Sequence, residues 1–522
     1  MASITKQTVG NNTYLYESHS FRDEEGRPRN TKIKIGKIDR KTGRAVYNEE
    51  YIDRMNEAGT PVIIPETDIS EKVYEALDNI KSYGLFYFLE KIAEKIKLIS
   101  ILQQTIPKYW REICNLCFYI ISSDKPLAYM EYWLSENESY PCKRMSSQRL
   151  SELLAAFGHK EQSEFFRMWN DVNESDEYMA LDITSISSYS EQILSNERGY
   201  NRDGENLSQI NLCLLFGEET QLPVYQTIYS GSITDTATFR STVAEMDAVK
   251  GKKKLILVMD KGFYGVGNIE MLMENQCEFL MAVPFSTSLS KELINKERGK
   301  IDRASNLINA LESPERGVSR KIDFYGYKLT AHLFYDPEKE VRYRNYLYDF
   351  VSYLRQMVRT GKTLTACKKD VDKYLSIGKN NSVRIKEDVL KRELEMVGWF
   401  LLLGNGKITT QKAHDIYSKK DVVEKAFMKY KNSLGFHRLH VHSDLRMKNK
   451  LFVGFIALTI ISHIHKIMKE NDLYHKMTME KLFLTLSKIK KTTINGSHII
   501  RPLTREQREI FYTFAVPFPF VG

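Results

Sequence analysis

Asp182 lies inside the apolar run MALDITSIS, and Asp260 closes the run LILVMD. A carboxylate in or just past an apolar strand is expensive to desolvate unless it is paired or binds a cation. Two such strands in one sheet would bring both groups to one place. Hard oxygen donors with open coordination positions suit Mg2+, with Mn2+ as a substitute. Two such ions, about 4 Å apart, can clamp the attacking and leaving oxygens of a phosphodiester. Glu424 is the expected third ligand, carried in by a late helix. Asp182 alone could be a satisfied strand residue, and Asp260 alone a Walker B aspartate. The latter would need a phosphate loop. The nearest match, Gly361-Lys362-Thr363, has Gln356 where the first glycine belongs and follows a helix-like run.

The segment IYSKKDVVEKAFMKYKNSLG (416–435) reads as one helix. At ~100° per residue, Tyr417, Lys420, Glu424 and Lys431 share a face only ~60° wide. A metal-binding carboxylate among cations makes sense for a polyanionic substrate, with lysines on phosphates and the carboxylate on metal. From Lys412 to Lys450 there are ten Lys or Arg against four Asp or Glu, far more basic than the chain as a whole.

Several elements must position these groups. Residues 12–55 are expected to be β-rich: NTYLYESHSF, the turn EEGRPRN, the alternating TKIKIGKI, then another turn and strand. Basic residues outnumber acidic ones ten to seven between Arg22 and Arg54, so the ribbon could contact DNA, and an exposed meander is the competing reading. GTPVIIPET reads as a linker. From about 70 to 172 apolar residues recur at helical spacing. From 178 the order is β-β-β-α-β-α-β, the order of a ribonuclease H-like sheet, with short polar connections between the first three strands. Residues 286–395 interrupt it as an insertion, and GWFLLLGN (398–405) returns a strand to the sheet.

At 522 residues the chain exceeds one compact core, and a net charge of +9 permits nucleic acid as a partner without requiring it. Six sparse cysteines read as reduced and intracellular, with Cys114 and Cys117 as packed thiols rather than half of a zinc site. No signal peptide is expected at the N-terminus, and LFVGFIALTIISHI (451–464) is short for a membrane span, so a buried helix is expected there. His437, His440 and His442 lack a fourth ligand for zinc and read as DNA-backbone contacts or solvated residues.

Taken together, these motifs resemble the DDE transposases of prokaryotic insertion sequences, in the group with the signature Y-x2-R-x3-E-x6-K. Here it reads Tyr417-x2-Lys420-x3-Glu424-x6-Lys431, with lysine in place of arginine. That exchange keeps the charge and loses the bidentate fork. MDKGFYGVGNIEMLMENQCEFLMAVP looks like the second-aspartate block, preceded by SGSITD. LGFHRLHVHSDLRMKNKLFVGFIALTIISHI is similar to the C-terminal block, with Arg438, His442 and Arg446 at its basic and histidine positions. ESHSFRDEEGRPRNTKIKIGKID resembles the N-terminal segment of one branch.

The resemblance implies a DNA transposase on a ribonuclease H-like α/β core. Asp182, Asp260 and Glu424 would be the catalytic and metal-binding residues for two Mg2+ ions. Tyr417, Lys420, Lys431, Arg438 and His442 would contact DNA. A metal-dependent water attack frees a 3′-hydroxyl, which joins target DNA by transesterification with no ATP and no protein-linked intermediate. Trp399 stands where relatives that form a DNA hairpin stack a flipped base; a core tryptophan is the equal alternative. Double-stranded DNA (terminal repeats and target), a homodimeric synaptic complex, no membrane and a nucleoid-associated prokaryotic cytoplasm complete the expectation. The regions expected are a basic β-rich segment 1–68, a helical domain 69–175, the catalytic core 176–285 and 397–522, and an insertion domain 286–396. Two rivals are a metal-dependent nuclease that cuts without joining, and a catalytically silent, domesticated DNA-binding protein.

Overall fold

The computed structural model of the chain describes residues 3–40, 43–60, 80–172, 176–233, 235–249, 254–308, 315–361, 367–378, 382–494 and 497–519. Most of the linker expected at 59–67, the start of the helical region at 69–79, Thr234 of SGSITD, and Lys362 and Thr363 lie outside the described residues. The described residues fall into two compact units, one drawn from 1–80 and 491–500, the other from 81–490 and 501–520.

In the first unit, β1 (Ser3–Val9), β2 (Asn12–Arg22), β3 (Pro28–Ile38) and β4 (Ala45–Tyr47) form an antiparallel meander in chain order. Leu15, Ile35 and Tyr51 are its small core. Strand β1 precedes the expected ribbon, and the expectation of β structure to residue 55 fails at its end, where Glu49–Glu57 is a helix. The Asn48 side chain caps it by accepting from the Tyr51 amide, and Glu49 and Glu50 sit in the first turn, where the helix dipole favours them.

A short strand, β5 (Ile80–Ser82), precedes the helices Gly84–Lys95, Leu98–Thr105, Trp110–Ser122, Met130–Glu136, Ser147–Leu153 and His159–Val172. Cys114 and Cys117 are buried free thiols on the third of these. The helix Asp444–Glu470 is long and apolar enough to cross a membrane, but 78% of its apolar stretch is buried inside the protein. It packs against Trp110–Ser122, and its Asn449 amide donates to the carbonyls of Leu154 (2.9 Å) and Phe157 (2.7 Å). The apolar stretch is thus core, as its length suggests.

The central sheet holds β6 (Met179–Ser187), β7 (Gln209–Gly217), β8 (Pro223–Ser230), β9 (Ile256–Met259), β10 (Glu278–Ala282), β11 (Arg316–Phe324) and β12 (Tyr327–Tyr335). After a small excursion with the ribbon β13 (Leu375–Ile377) and β14 (Val383–Ile385), β15 (Trp399–Gly404) completes it. The order is β11-β12-β15-β10-β9-β6-β7-β8. Strands β6, β7 and β8 form an antiparallel meander; β9 and β10 run parallel to β6, and β15 returns antiparallel. The helices Asp235–Val249 and Val266–Glu274 make the crossovers. This is the mixed α/β sheet read from the sequence. RKIDFYGYKLTAHLFY becomes the β11–β12 hairpin, which extends the same sheet and turns at Tyr325-Gly326, both at positive φ as a tight hairpin requires. Beyond it, Leu347, Val351, Leu354 and Tyr374 anchor a separate small core.

The single helix expected over 416–435 is replaced by three pieces. Thr410–Ser418 and Asp421–Met428 are α-helices, and Lys429–Ser433 is a π-turn. Ala413 and Ile416 pack with Val258, Leu280 and Leu402 of the sheet, and the second helix, which buries Val423, Ala426 and Phe427, packs on β6 and β7. The π-turn then buries Tyr430 and Lys431.

Candidate active site

Strand alternation decides where the aspartates point. Leu181 and Ile183 enter the core on one face of the sheet, so Asp182 between them faces the other. In β9, Leu257 and Met259 share that first core, Val258 belongs to the second, and Asp260 continues the parity of Val258. Leu181 pairs with Met259 in the parallel ladder, so Asp182 and Asp260 come next, side by side on neighbouring strands. Ala413 and Ile416 of the helix Thr410–Ser418 pack into that second core, and the helix Asp421–Met428 packs on β6 and β7.

Burial pushes the Asp182 carboxyl up to about 6. Lys420, the Ile183 amide (2.8 Å) and Arg202 resist that shift, and Asp260 adds to it. Asp260 accepts from the Lys261 amide (2.7 Å) and from the Tyr417 hydroxyl (3.2 Å). Burial, then Asp260, Glu424 and Asp182, holds the Tyr417 phenol well above its ordinary range, so it stays a donor. Lys420 is only 5% exposed, with Nζ 3.3 Å from Glu424 Oε1 and 6.0 Å from the centre of the Tyr417 ring. The Glu424 side chain is 61% exposed. Asp182, Asp260, Tyr417, Lys420 and Glu424 therefore form one electrostatic neighbourhood.

The other candidates lie elsewhere. Lys431 is buried, and its ammonium bonds both Asp203 oxygens (2.9 and 2.6 Å). Arg438 Nη2 donates to Glu205 Oε1 at 2.6 Å, and His442 Nδ1 is 3.4 Å from Ser190 Oγ. All three thus engage the β6–β7 connection. Trp399 is 6% exposed, belongs to the core and lies against Tyr335, ring centres 5.0 Å apart. Arg446 donates to the Ser151 carbonyl at 3.1 Å.

Among the described residues, no three His, Cys, Asp or Glu side chains form a group that could hold a metal ion. The chemistry of Asp182, Asp260 and Glu424 nevertheless fits a hard divalent cation, because all the donors are carboxylate oxygens. In the chain as it stands, Lys420 engages the Glu424 carboxylate.

Residues 175–460, more than half of the chain, match the family described as Transposase DDE domain. The chain belongs to that family. Its members are nucleic-acid-cleaving enzymes that generally use divalent metal ions, and the match spans Asp182, Asp260 and Glu424. No curated protein matches the transposase chain. Among solved structures it is similar to a piggyBac transposase in a synaptic complex with hairpin DNA, determined by cryo-electron microscopy. That likeness has 11% identity and a TM-score of 0.36, and covers 84% of this chain and 85% of the other. It is too loose to carry residue roles across.

Sequence reading missed the β6–β7 connection. The short polar link expected after β6 is the segment 188–208, which meets Lys431, Arg438, His442 and Asp444 of the transposase's later block. A usable signal was present: tyrosines and arginines interleave at Tyr189, Arg198, Tyr200 and Arg202.

Proposed function

We propose that this chain cuts the ends of its element and joins the freed 3′-hydroxyl to target DNA, as an insertion-sequence transposase of the Y-x2-R-x3-E-x6-K group. The observation that carries this reading is the side-by-side pair Asp182 and Asp260, with Tyr417 bonded to Asp260 and Lys420 beside Asp182. Asp182, Asp260 and Glu424 would hold Mg2+ ions, two in all, with Mn2+ able to substitute. When bound, these supply positive charge to the oxygens that attack and leave phosphorus. Tyr417 orients the Asp260 carboxylate through its hydroxyl. Lys420 holds Glu424 close to the aspartates and keeps positive charge beside Asp182. Water cuts first, and the 3′-hydroxyl it frees then attacks a phosphate of the target in a direct transesterification.

The same reading takes double-stranded DNA as partner, a homodimer as the synaptic form, and a prokaryotic cytoplasm as the setting. The basic N-terminal region 1–68, with its meander β1–β4, and the helical domain 69–175 serve end recognition, 176–285 and 397–522 the catalysis, with 286–396 as an insertion domain. The test is strand cleavage on labelled DNA carrying the element's own ends, comparing wild type with Glu424→Gln, in Mg2+ and in EDTA. The expected result is cleavage and joining by wild type alone, with metal only. Equal cleavage by the Gln variant would remove Glu424 from this role. Cleavage without joining would leave a nuclease, and DNA binding without metal-dependent cleavage a silent binding protein.

A further inference from the structure

The β6–β7 connection combines two properties that rarely meet. It is held at many points, through side chains and backbone alike. Asp203 is bound by Lys431, Glu205 by Arg438, and Asp444 accepts from the Leu194 amide at 2.9 Å. The Tyr200 carbonyl accepts from Gln209 Nε2 at 2.8 Å, and the Asn196 amide donates to the Ser188 and Ser190 carbonyls. Yet three large side chains on this held segment face solvent: Tyr189 (71% exposed), Leu194 (84%) and Tyr200 (84%). A single exposed apolar residue needs no explanation, but three on one anchored segment do. Cations accompany them. Arg198 is exposed, Arg202 is near enough to act on the Asp182 carboxyl, and the Arg438 guanidinium lies 5.7 Å from the centre of the Tyr189 ring. The segment leaves directly from the strand that bears Asp182.

We propose that residues 189–202 form a platform that receives unpaired or unstacked DNA bases beside the cleaved phosphate, with Tyr189 and Tyr200 stacking on bases and Leu194 acting as a wedge. Aromatic rings stack on any base, arginines attract the backbone, and apolar wedges enter opened base steps. Anchoring the backbone in advance reduces the ordering entropy lost on binding. Trp399, the stacking candidate of the sequence, is buried between Tyr335 and the core, whereas these tyrosines are accessible. The proposal rests on the transposase reading.

The experiment measures binding of the full chain to two fluorescein-labelled duplexes by anisotropy. They are identical except that one carries a central mismatched bubble containing 2-aminopurine. Wild type is expected to prefer the bubble by about tenfold, the size of one base–aromatic stack, and to quench the 2-aminopurine. Tyr189→Ala and Tyr200→Ala should each lose most of the preference and the quenching while still binding paired duplex; Tyr200→Phe should retain both. Alanine variants that keep the full preference, or a Phe variant that loses it as completely as Ala, would overturn the platform. So would paired-duplex binding without bubble preference, which leaves the transposase reading standing. No binding to either duplex would overturn both.

Discussion

Two carboxylate pairs flank the same stretch of β6, and they behave oppositely. Before the strand, Glu177 is turned inward and fully employed: it accepts from the amides of Glu219 (2.8 Å) and Thr220 (2.9 Å) and from the Thr220 hydroxyl (2.7 Å). It closes the turn between β7 and β8. Its neighbour Glu218 is buried, and that burial pushes its carboxyl up to about 8. Asp182 within the strand and Asp260 just past the end of neighbouring β9 are half-buried and meet Tyr417 and Lys420, brought from a distant part of the chain. Burial alone does not mark a working carboxylate. Glu177 and Glu218 are the more buried of the two pairs. What separates the aspartates is residual access together with donors and cations that converge on them from other elements.

Substitutions can break this contrast. The largest effect is expected from Asp182→Asn, which should lower strand cleavage by about a thousandfold or more, since several kcal/mol of charge stabilisation depend on the site. The same variant should be the more stable protein at pH 7. Because the folded carboxyl titrates near 6 rather than at its ordinary 3.8, wild-type stability falls as pH rises between those values. Asn removes that loss, a gain of roughly 1–3 kcal/mol readable by denaturant unfolding. Glu177→Gln is expected to do the opposite to stability, a loss of about 2–3 kcal/mol from weakened bonds to buried amides, and to leave cleavage per folded molecule unchanged. The smallest effect is expected from Glu218→Gln. Wild type should lose stability between pH 4.5 and about 8, where the unfolded chain has released this proton and the folded chain has kept it. The Gln variant should show a flatter profile and be the more stable protein at pH 8. A Glu218→Gln variant that lost cleavage would erase the distinction between the pairs.

The sheet was legible in the sequence because its strands carry dense apolar runs and its crossovers carry clean helical spacing. The aspartates were legible for a related reason, since each interrupts such a run. The helix around Glu424 was legible only in part. Periodicity assigned Tyr417, Lys420, Glu424 and Lys431 to one face, but spacing carries no mark of the break between Ser418 and Asp421 or of the π-turn at Lys429–Ser433. Lys431 consequently meets Asp203 rather than the carboxylates, a partner more than two hundred residues away that no local pattern could supply. The β11–β12 hairpin looked like strands, but its place in the central sheet is set by pairing with β15, also remote in sequence.

The helix Asp444–Glu470 sets a timetable for biosynthesis. It packs against Gly84–Lys95 and Trp110–Ser122, made early, and against β8, made midway. Cys117 on the early helix donates to the Val453 carbonyl, and Lys466 reaches the Glu219 carbonyl at 3.2 Å. None of these partners can complete the burial of its apolar side until the ribosome has delivered residue 470. At ordinary elongation rates that wait is on the order of tens of seconds, during which apolar surfaces of the early helices have only chaperones or one another for cover. Translation cut short before this helix should therefore yield an insoluble fragment and not a working partial enzyme.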